Sequence, residues 1–486
     1  MKKTVQIVLA SGLLFLASFE NKDENLRKQF SKIDQEVRSN SKAYTTLEDV
    51  TKTIGHRLTG SDNGAKAEEY TYELFKSYGF TDVSYQPFEV TAWSRDTVSL
   101  SVAPSSSDNF RDIPVVSLAH APVHAELQGV IIDLGNGLEA DFQAKKSDIK
   151  GKIVLANIGL VDGKGKKNLH RSEKTALAIQ YGAAGIIMIN SAPGDILLTG
   201  TASVTGDLIS IPAVSISNNS GKELRQWIKD EGPLEAQIDL RNFSKKINAR
   251  NVVATLKGKS SEKVVIGGHL DSWDLSTGAI DNGIGSFAVI DVARTFKMLN
   301  IKPEKTIQFV MFMGEEQGLL GSKHFIKEAK RTGEIKKIAY MLNLDMTNDP
   351  LGANSFGRDN MTPFFEEVGK SIQSVDSNYK NTLANRAGLH SDHQPFMLEG
   401  VPVIGLAGHL DRNVLDCYHA DCDSFELVNE EQLKSTVRIA SMYLYALSTT
   451  KKLPAKKLSD EETKSFLIKQ GLKDELILGN EWRWKE

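Results

Sequence analysis

Four apolar runs of strand length punctuate the second half of the chain: VVIGG from Val264, TIQFVMFM ending at Met313, IAYMLNL ending at Leu344, and VPVIGLA from Val401. They lack the in-out alternation of a half-exposed sheet, so they read as parallel strands covered on both faces. Helical spacing fills the intervals. Gly283–Leu299 reads as one helix. NEEQLKSTVRIASMYLYALS reads as a closing helix, with Asn429 as its cap, Glu430 and Glu431 in the first turn, and Leu433, Val437, Ala440 and Leu444 on one face. Near the start, residues 20–42 are charged and read as helical or partly disordered. A helix beginning at Ser61 or Asp62 carries Ala67, Tyr70, Leu74 and Tyr78 on one side and ends at Gly79, and DVSYQPFEV follows as a strand. This alternation predicts an α/β fold with a mixed, mostly parallel sheet flanked by helices.

The stretch from about Thr97 to Phe243 changes character. LQGVIIDLGNG, DIKGKIVLANI, IIMIN and LISIPAVSIS are short strand-like runs around one predicted helix, ALAIQYG. They form a β-rich insertion within the α/β pattern. His170, in KKNLHRSEK, reads as a solvated loop histidine. The tail from Leu453 is charged and carries no recognisable role. There is no internal repeat and no low-complexity tract. The expected division is a leader at 1–18, the first part of the main domain at 19–96, the insertion at 97–245, the second part of the main domain at 246–450, and the tail at 451–486.

With 486 residues, 40% of them hydrophobic and 25% charged, the chain can bury a large core. A net charge of −3 and the lack of a basic stripe argue against nucleic acid as a partner. MKKTVQIVLASGLLFLAS has the pattern of a secretion signal: Lys2 and Lys3, then an apolar Val5–Ala17 too short to span a bilayer comfortably. Cleavage near Ser18 and export, periplasmic or beyond, are expected. Phe19 stands where a lipid-carrying cysteine would be needed, and no other segment is long and apolar enough to span a membrane.

The chemistry sits at the ends of the apolar runs. His269 and Asp271 close the first. Asp281 follows in the Gly-rich GAIDNG. Glu315 and Glu316 follow the second run, Asp345 the third, and His419 lies in CYHADCD. Open α/β sheets place ligands at the carboxyl ends of their strands. Imidazole and carboxylate together suit zinc, and also manganese or cobalt. In a Glu pair, one carboxylate can hold a metal while the other moves a proton.

GGHLDSWD followed by GAIDNGIG, together with GEEQG, resembles the co-catalytic dizinc exopeptidases, which include the bacterial leucine-type aminopeptidases and glutamate carboxypeptidase. The branch resembled most is plasma glutamate carboxypeptidase, or carboxypeptidase Q. The likeness covers about 47–90 and 251–449, and YGAAGIIMIN resembles a protease-associated domain inserted as a lid or substrate-facing wall. The resemblance implies one zinc on His269, Asp281 and Asp345, and another on Asp281, Glu316 and His419, with Asp281 bridging. It also implies Glu315 as general base. Two zinc ions about 3.5–4 Å apart need such an anionic bridge. Asp271 and Asp423, two and four residues after the histidines, are candidate acceptors that fix the imidazoles. Tyr418 is a candidate oxyanion donor. A Cys417–Cys422 disulfide around His419 is implied by the aminopeptidase branch. Free or metal-competing thiols are the alternative.

The expected activity is zinc-dependent hydrolysis of short peptides or dipeptides at one terminus. Candidate substrate contacts are His390, Asp392, His393 and Arg358. An amine terminus suits the acid-rich site, and Arg358 or His390 would suit a carboxylate. A homodimer would accord with the carboxypeptidase Q resemblance. A catalytically inactive peptidase-fold binding protein would lack ligands that are all present here. A one-zinc acyltransferase of the glutaminyl cyclase type would need neither the five-ligand set nor the insertion.

Overall fold

The structure, a computed structural model, describes residues 24–161, 167–451 and 454–484. The secretion-signal reading of residues 1–18 lies outside the described residues. Among these, no helix is long and apolar enough to cross a membrane.

The main domain is built on the apolar runs. The parallel strands are Val403–Ala407, Ile338–Asn343, Ser260–His269 and Lys305–Phe312, in that spatial order. Their side chains split by alternation between two cores. Val264, Ile266, Ile307, Phe309 and Met311 face the larger core. It is closed by helices that include Asp62–Ser77, Ile284–Met298 and Glu430–Thr449. Val265, Val310 and Phe312 face the opposite core, under Leu320–Arg331 and His393–Leu398. Burial on both faces is why these strands show no polar alternation. The helix starts follow capping rules: Ser61 accepts from the Gly64 N–H at 3.0 Å, and Asn429 accepts from Gln432 at 3.0 Å.

DVSYQPFEV is only the beginning of a strand of 22 residues, Val83–Pro104. It pairs antiparallel with the 23-residue Leu234–Leu256. The expected boundaries at 97 and 245 fall inside this continuous ribbon, close to the register shift between Arg95 and Thr97. The main domain uses one half of the ribbon, and the insertion uses the other half to start its own sheet. That sheet runs through His124–Asp133, Ile153–Asn157, Gly185–Ile189 and Ala213–Ile216. The insertion has more helix than the single one expected: Glu139–Ala144, Lys146–Ile149 and Asn218–Glu231 join Arg171–Gln180.

The tail is structural. Helices Asp460–Lys469 and Lys473–Leu478 bury Leu467, Leu472 and Leu476 in the second core. Leu467→Ala and Leu476→Ala are therefore expected to cost about 2–5 kcal/mol each, as truncations of fully buried leucines do. Denaturant unfolding checks this; an unchanged midpoint would mean that the tail is only appended.

Candidate metal centre and its cavity

Three expected ligands, His269, Glu316 and Asp345, stand where a strand gives way to a loop; Asp281 lies in the short helical segment Ala279–Gly283, and His419 in a loop after the helix Arg412–Leu415. His269 is the last residue of its strand, and Asp345 lies two residues beyond Asn343. Gly268 lets the Asp345 loop close in, since a Cβ there would meet the Leu344 carbonyl oxygen at 2.4 Å. Asp281 lies between the two histidines. Its Oδ1 is 3.2 Å from His269 Nε2, and its Oδ2 is 2.9 Å from His419 Nε2. Asp345 Oδ1 is 3.5 Å from His269 Nε2, and Glu316 Oε2 is 3.0 Å from His419 Nε2. Asp281 Oδ2 and Glu316 Oε1 are buried without a hydrogen-bond partner. Buried orphaned oxygens facing imidazole nitrogens are what a cation would satisfy. His269, Asp281 and Glu316 can also bring one ligand atom each within 4.8 Å of one another. The donor set fits zinc.

A hydrogen-bond frame holds these ligands. Arg57, fully buried, donates to the carbonyls of Leu270, Thr277 and Gly278 at 2.6–2.8 Å, which pins the loop between His269 and Asp281. Asn282 donates to the Leu344 carbonyl and accepts from the Met346 N–H, tying Asp281 to the Asp345 loop. Ser391 donates to Asp345 Oδ2 at 2.5 Å.

The Asp271 carboxylate accepts from the backbone N–H groups of Glu315 and Glu316 and from the Thr59 hydroxyl, and its Oδ1 lies 3.7 Å from His269 Nδ1. The Asp271 backbone carbonyl is nearer, 3.0 Å from the same nitrogen. Asp423 does not touch the His419 ring but accepts from the N–H groups of Ile280 and Asp281 at 2.7 and 3.0 Å. Spacing along a loop does not tell which way a side chain turns. What lies against His419 Nδ1 is Arg171 of the insertion, donating at 2.6 Å.

Charge crowding shifts the acids. Burial, reinforced by Asp345, Glu316 and Asp392, raises the Glu315 pKa well above the carboxylate range, although His269 opposes it. Burial raises Asp392 and Asp423 to about 7 each. Asp281 resists the same desolvation because His269 and His419 hold it low.

A cavity of about 430 Å³ opens onto the centre, a size suited to a small molecule or short peptide. It is lined by His269, Asp281, Glu315, Glu316, Asp345, Tyr418 and His419. The Tyr418 ring stacks on His419 at 3.9 Å. His419 is in the left-handed region at φ 56°, inside the loop closed by the Cys417–Cys422 disulfide. Among the candidate substrate contacts, His390 and His393 line the cavity. Arg358 does not: it donates to the Gly400 carbonyl and lies over Phe466. Asp392 is also absent from the lining, fully buried, with both carboxylate oxygens unpartnered. Desolvation, with the charge of Arg171, lowers the His390 pKa to about 4.

The insertion is a wall of the site. His170, Arg171, Ser172, Glu173, Thr201 and Ser203 face the same cavity. His170 is not a solvated loop residue: it caps the helix Arg171–Gln180 and stacks on His390 at 4.7 Å. Gly200, at φ 126°, seats Arg171, since a Cβ there would meet Nη2 at 2.0 Å. The Thr199 N–H donates to the His419 carbonyl, and Leu198 bridges Ala420. The tail adds Glu475, Leu476 and Glu481. Neither Arg171 nor the tail carried a motif; the start of helix 171–180, with its S-E pair, was the only available signal.

Residues 251–444 match the profile of Peptidase family M28, and residues 113–224 match that of the PA domain. Aminopeptidase YwaD of Bacillus subtilis (strain 168) is 27% identical over 474 residues, covering 93% of this chain and 96% of that protein. Carboxypeptidase Q of Xenopus laevis is 24% identical over 371 residues, covering 75% of this chain and 77% of that protein. The solved structure of a Peptidase M28 precursor from Shewanella amazonensis SB2B superposes with a TM-score of 0.76 at 25% identity, over 90% of this chain and 100% of that one. BSAP, a zinc aminopeptidase from Bacillus subtilis, shares the fold with a TM-score of 0.63 at 24% identity, over 86% of this chain and 97% of that one.

Replacing Arg57 tests the frame. Arg57→Met leaves three carbonyls unpaired and removes the buried cation beside Asp423, Asp271, Asp281 and Glu316. A loss of about 3–5 kcal/mol is expected in unfolding of the metal-free protein, the range for breaking a buried charged network. A loss below 1 kcal/mol would mean that the loop holds itself.

Proposed function

The chain belongs to Peptidase family M28 and carries a PA domain, and from that premise we propose that it is a zinc-dependent exopeptidase that removes the amino-terminal residue of short peptides. The observation that carries this reading is Asp281, which presents one carboxylate oxygen to each of two histidines. His269, Asp281 and Asp345 would hold one zinc, and Asp281, Glu316 and His419 a second. The bound metal supplies a polarised carbonyl and a more acidic water. Glu315 would take a proton from the attacking water and return it to the leaving amine. Tyr418, on the same cavity wall, is the donor toward the developing oxyanion.

Three features support a short substrate with a free amine. The PA domain and the tail wall the cavity. Three acidic side chains, Glu315, Glu316 and Asp345, line its base. Of the lysines and arginines lining it, Lys323 is paired with Glu481 and Arg171 with the His419 ring. One observation favours the opposite terminus: Arg171 Nε is buried and unpartnered. With an ion on His419 Nε2 the ring proton belongs on Nδ1, which then cannot accept from Arg171, so the guanidinium is released for a carboxylate. Free, N-acetylated and C-amidated dipeptides separate the two. Loss of turnover on acetylation supports the amine reading; loss on amidation, with acetylated peptides still cleaved, replaces it. Export follows from the leader pattern and is compatible with the disulfide.

Glu315→Gln is expected to retain both ions and to lose about 10²–10⁴-fold in kcat, the range for an acid–base group. Near wild-type turnover would remove Glu315 from the mechanism. Asp281→Asn is expected to lose metal as well as activity, because an amide is a poor bridge. Two ions still present by elemental analysis would mean that Asp281 does not bridge.

A further inference from the structure

The same cavity wall brings together Glu173 of the PA domain, His390 of the main domain and Glu475 of the tail, and we propose that these three form an additional transition-metal site that clamps the three segments together. Each residue can offer one ligand atom, and the three atoms lie within 4.8 Å of one another. Glu173 is 3% exposed, and its geometry is built rather than incidental. Oε2 accepts the His170 N–H at 2.6 Å as part of a capping box, which fixes the side chain and leaves Oε1 buried and unpartnered on the cavity wall. His390 is held by two contacts. Its N–H donates to Gln394 at 2.8 Å, and its ring stacks on His170. Its lowered pKa leaves the ring neutral, the form that ligates metal.

One nitrogen and two carboxylate oxygens make a three-ligand set suited to zinc, with room for water from the cavity. The set carries two negative charges and holds one cation of its own, Lys167, whose ammonium pairs with Glu475. Lys167 is 58% exposed along its side chain, so it can leave for water at little cost. A bound ion would therefore replace a loose intramolecular cation and join three segments that are distant in sequence. None of the three residues belongs to the proposed catalytic set, so the site goes beyond the exopeptidase reading and stands apart from it.

The test uses the full-length protein in a His124→Ala background, because His124, Glu126 and Asp239 form a separate exposed cluster that would also take up zinc. The protein is equilibrated with buffered free zinc and its metal content is measured. The expected result is one equivalent more than in the Glu173→Gln and Glu475→Gln variants, with both variants keeping the catalytic ions. Lys167→Met is expected to bind the extra ion more tightly. Zinc should slow amide hydrogen exchange in Lys473–Leu478 in the wild type but not in Glu173→Gln. Equal metal content in wild type and both variants would overturn the proposal, as would exchange in the tail that does not respond to zinc. Asp281→Asn separates the two readings: it should lose the catalytic ions and keep the additional one.

Discussion

The site is organised around a single electrostatic constraint: too many carboxylates share too little water. Asp271, Asp281, Glu316, Asp392 and Asp423 are each at most 4% exposed. An unpaired buried carboxylate is costly, so every one must be protonated, hydrogen-bonded or met by a cation. The structure uses all three means. Asp392 and Asp423 shift toward protonation near neutral pH. Asp271 is held by N–H and O–H donors. Asp281 and Glu316 face His269, His419 and the buried Arg57, and the oxygens still unpartnered mark where metal belongs.

That constraint explains why the framing residues are as specific as the ligands. Arg57, Asn282, Asp423 and Ser391 each fix the backbone or carboxylate of a ligand loop. None needs to touch an ion to matter, because a ligand displaced by a fraction of an ångström no longer converges with its partners. The parallel sheet supplies the rigid base: its strands end in register, so His269, the Glu pair and Asp345 emerge side by side.

The parallel strands and the helices around them were legible because burial on one or two faces writes itself into apolar spacing. The five proposed ligands and Glu315 stood out because each follows an apolar run or sits in a Gly-rich or cysteine-flanked loop. What surrounds them was not legible, for a geometric reason. Arg171 and His419 are 248 residues apart and meet only because a long ribbon carries the insertion back over the sheet ends. At the start of a helix, His170, Arg171 and Glu173 look like any solvated cap. Arg358 misled in the opposite sense: an isolated arginine near the site in sequence spends its charge on the Gly400 carbonyl and the Phe466 face. The tail looked featureless because its apolar residues, Leu467, Leu472 and Leu476 among them, acquire meaning only against the second core.

The PA domain is therefore more than a lid. The backbone of Thr199 and Leu198 pairs with the loop that carries His419, while the Cys417–Cys422 bond closes the same loop from within. The wall that limits the size of the substrate is thus hydrogen-bonded to a proposed metal ligand, and a movement that widens the cavity must pull on His419. Access and metal geometry cannot vary independently in this arrangement.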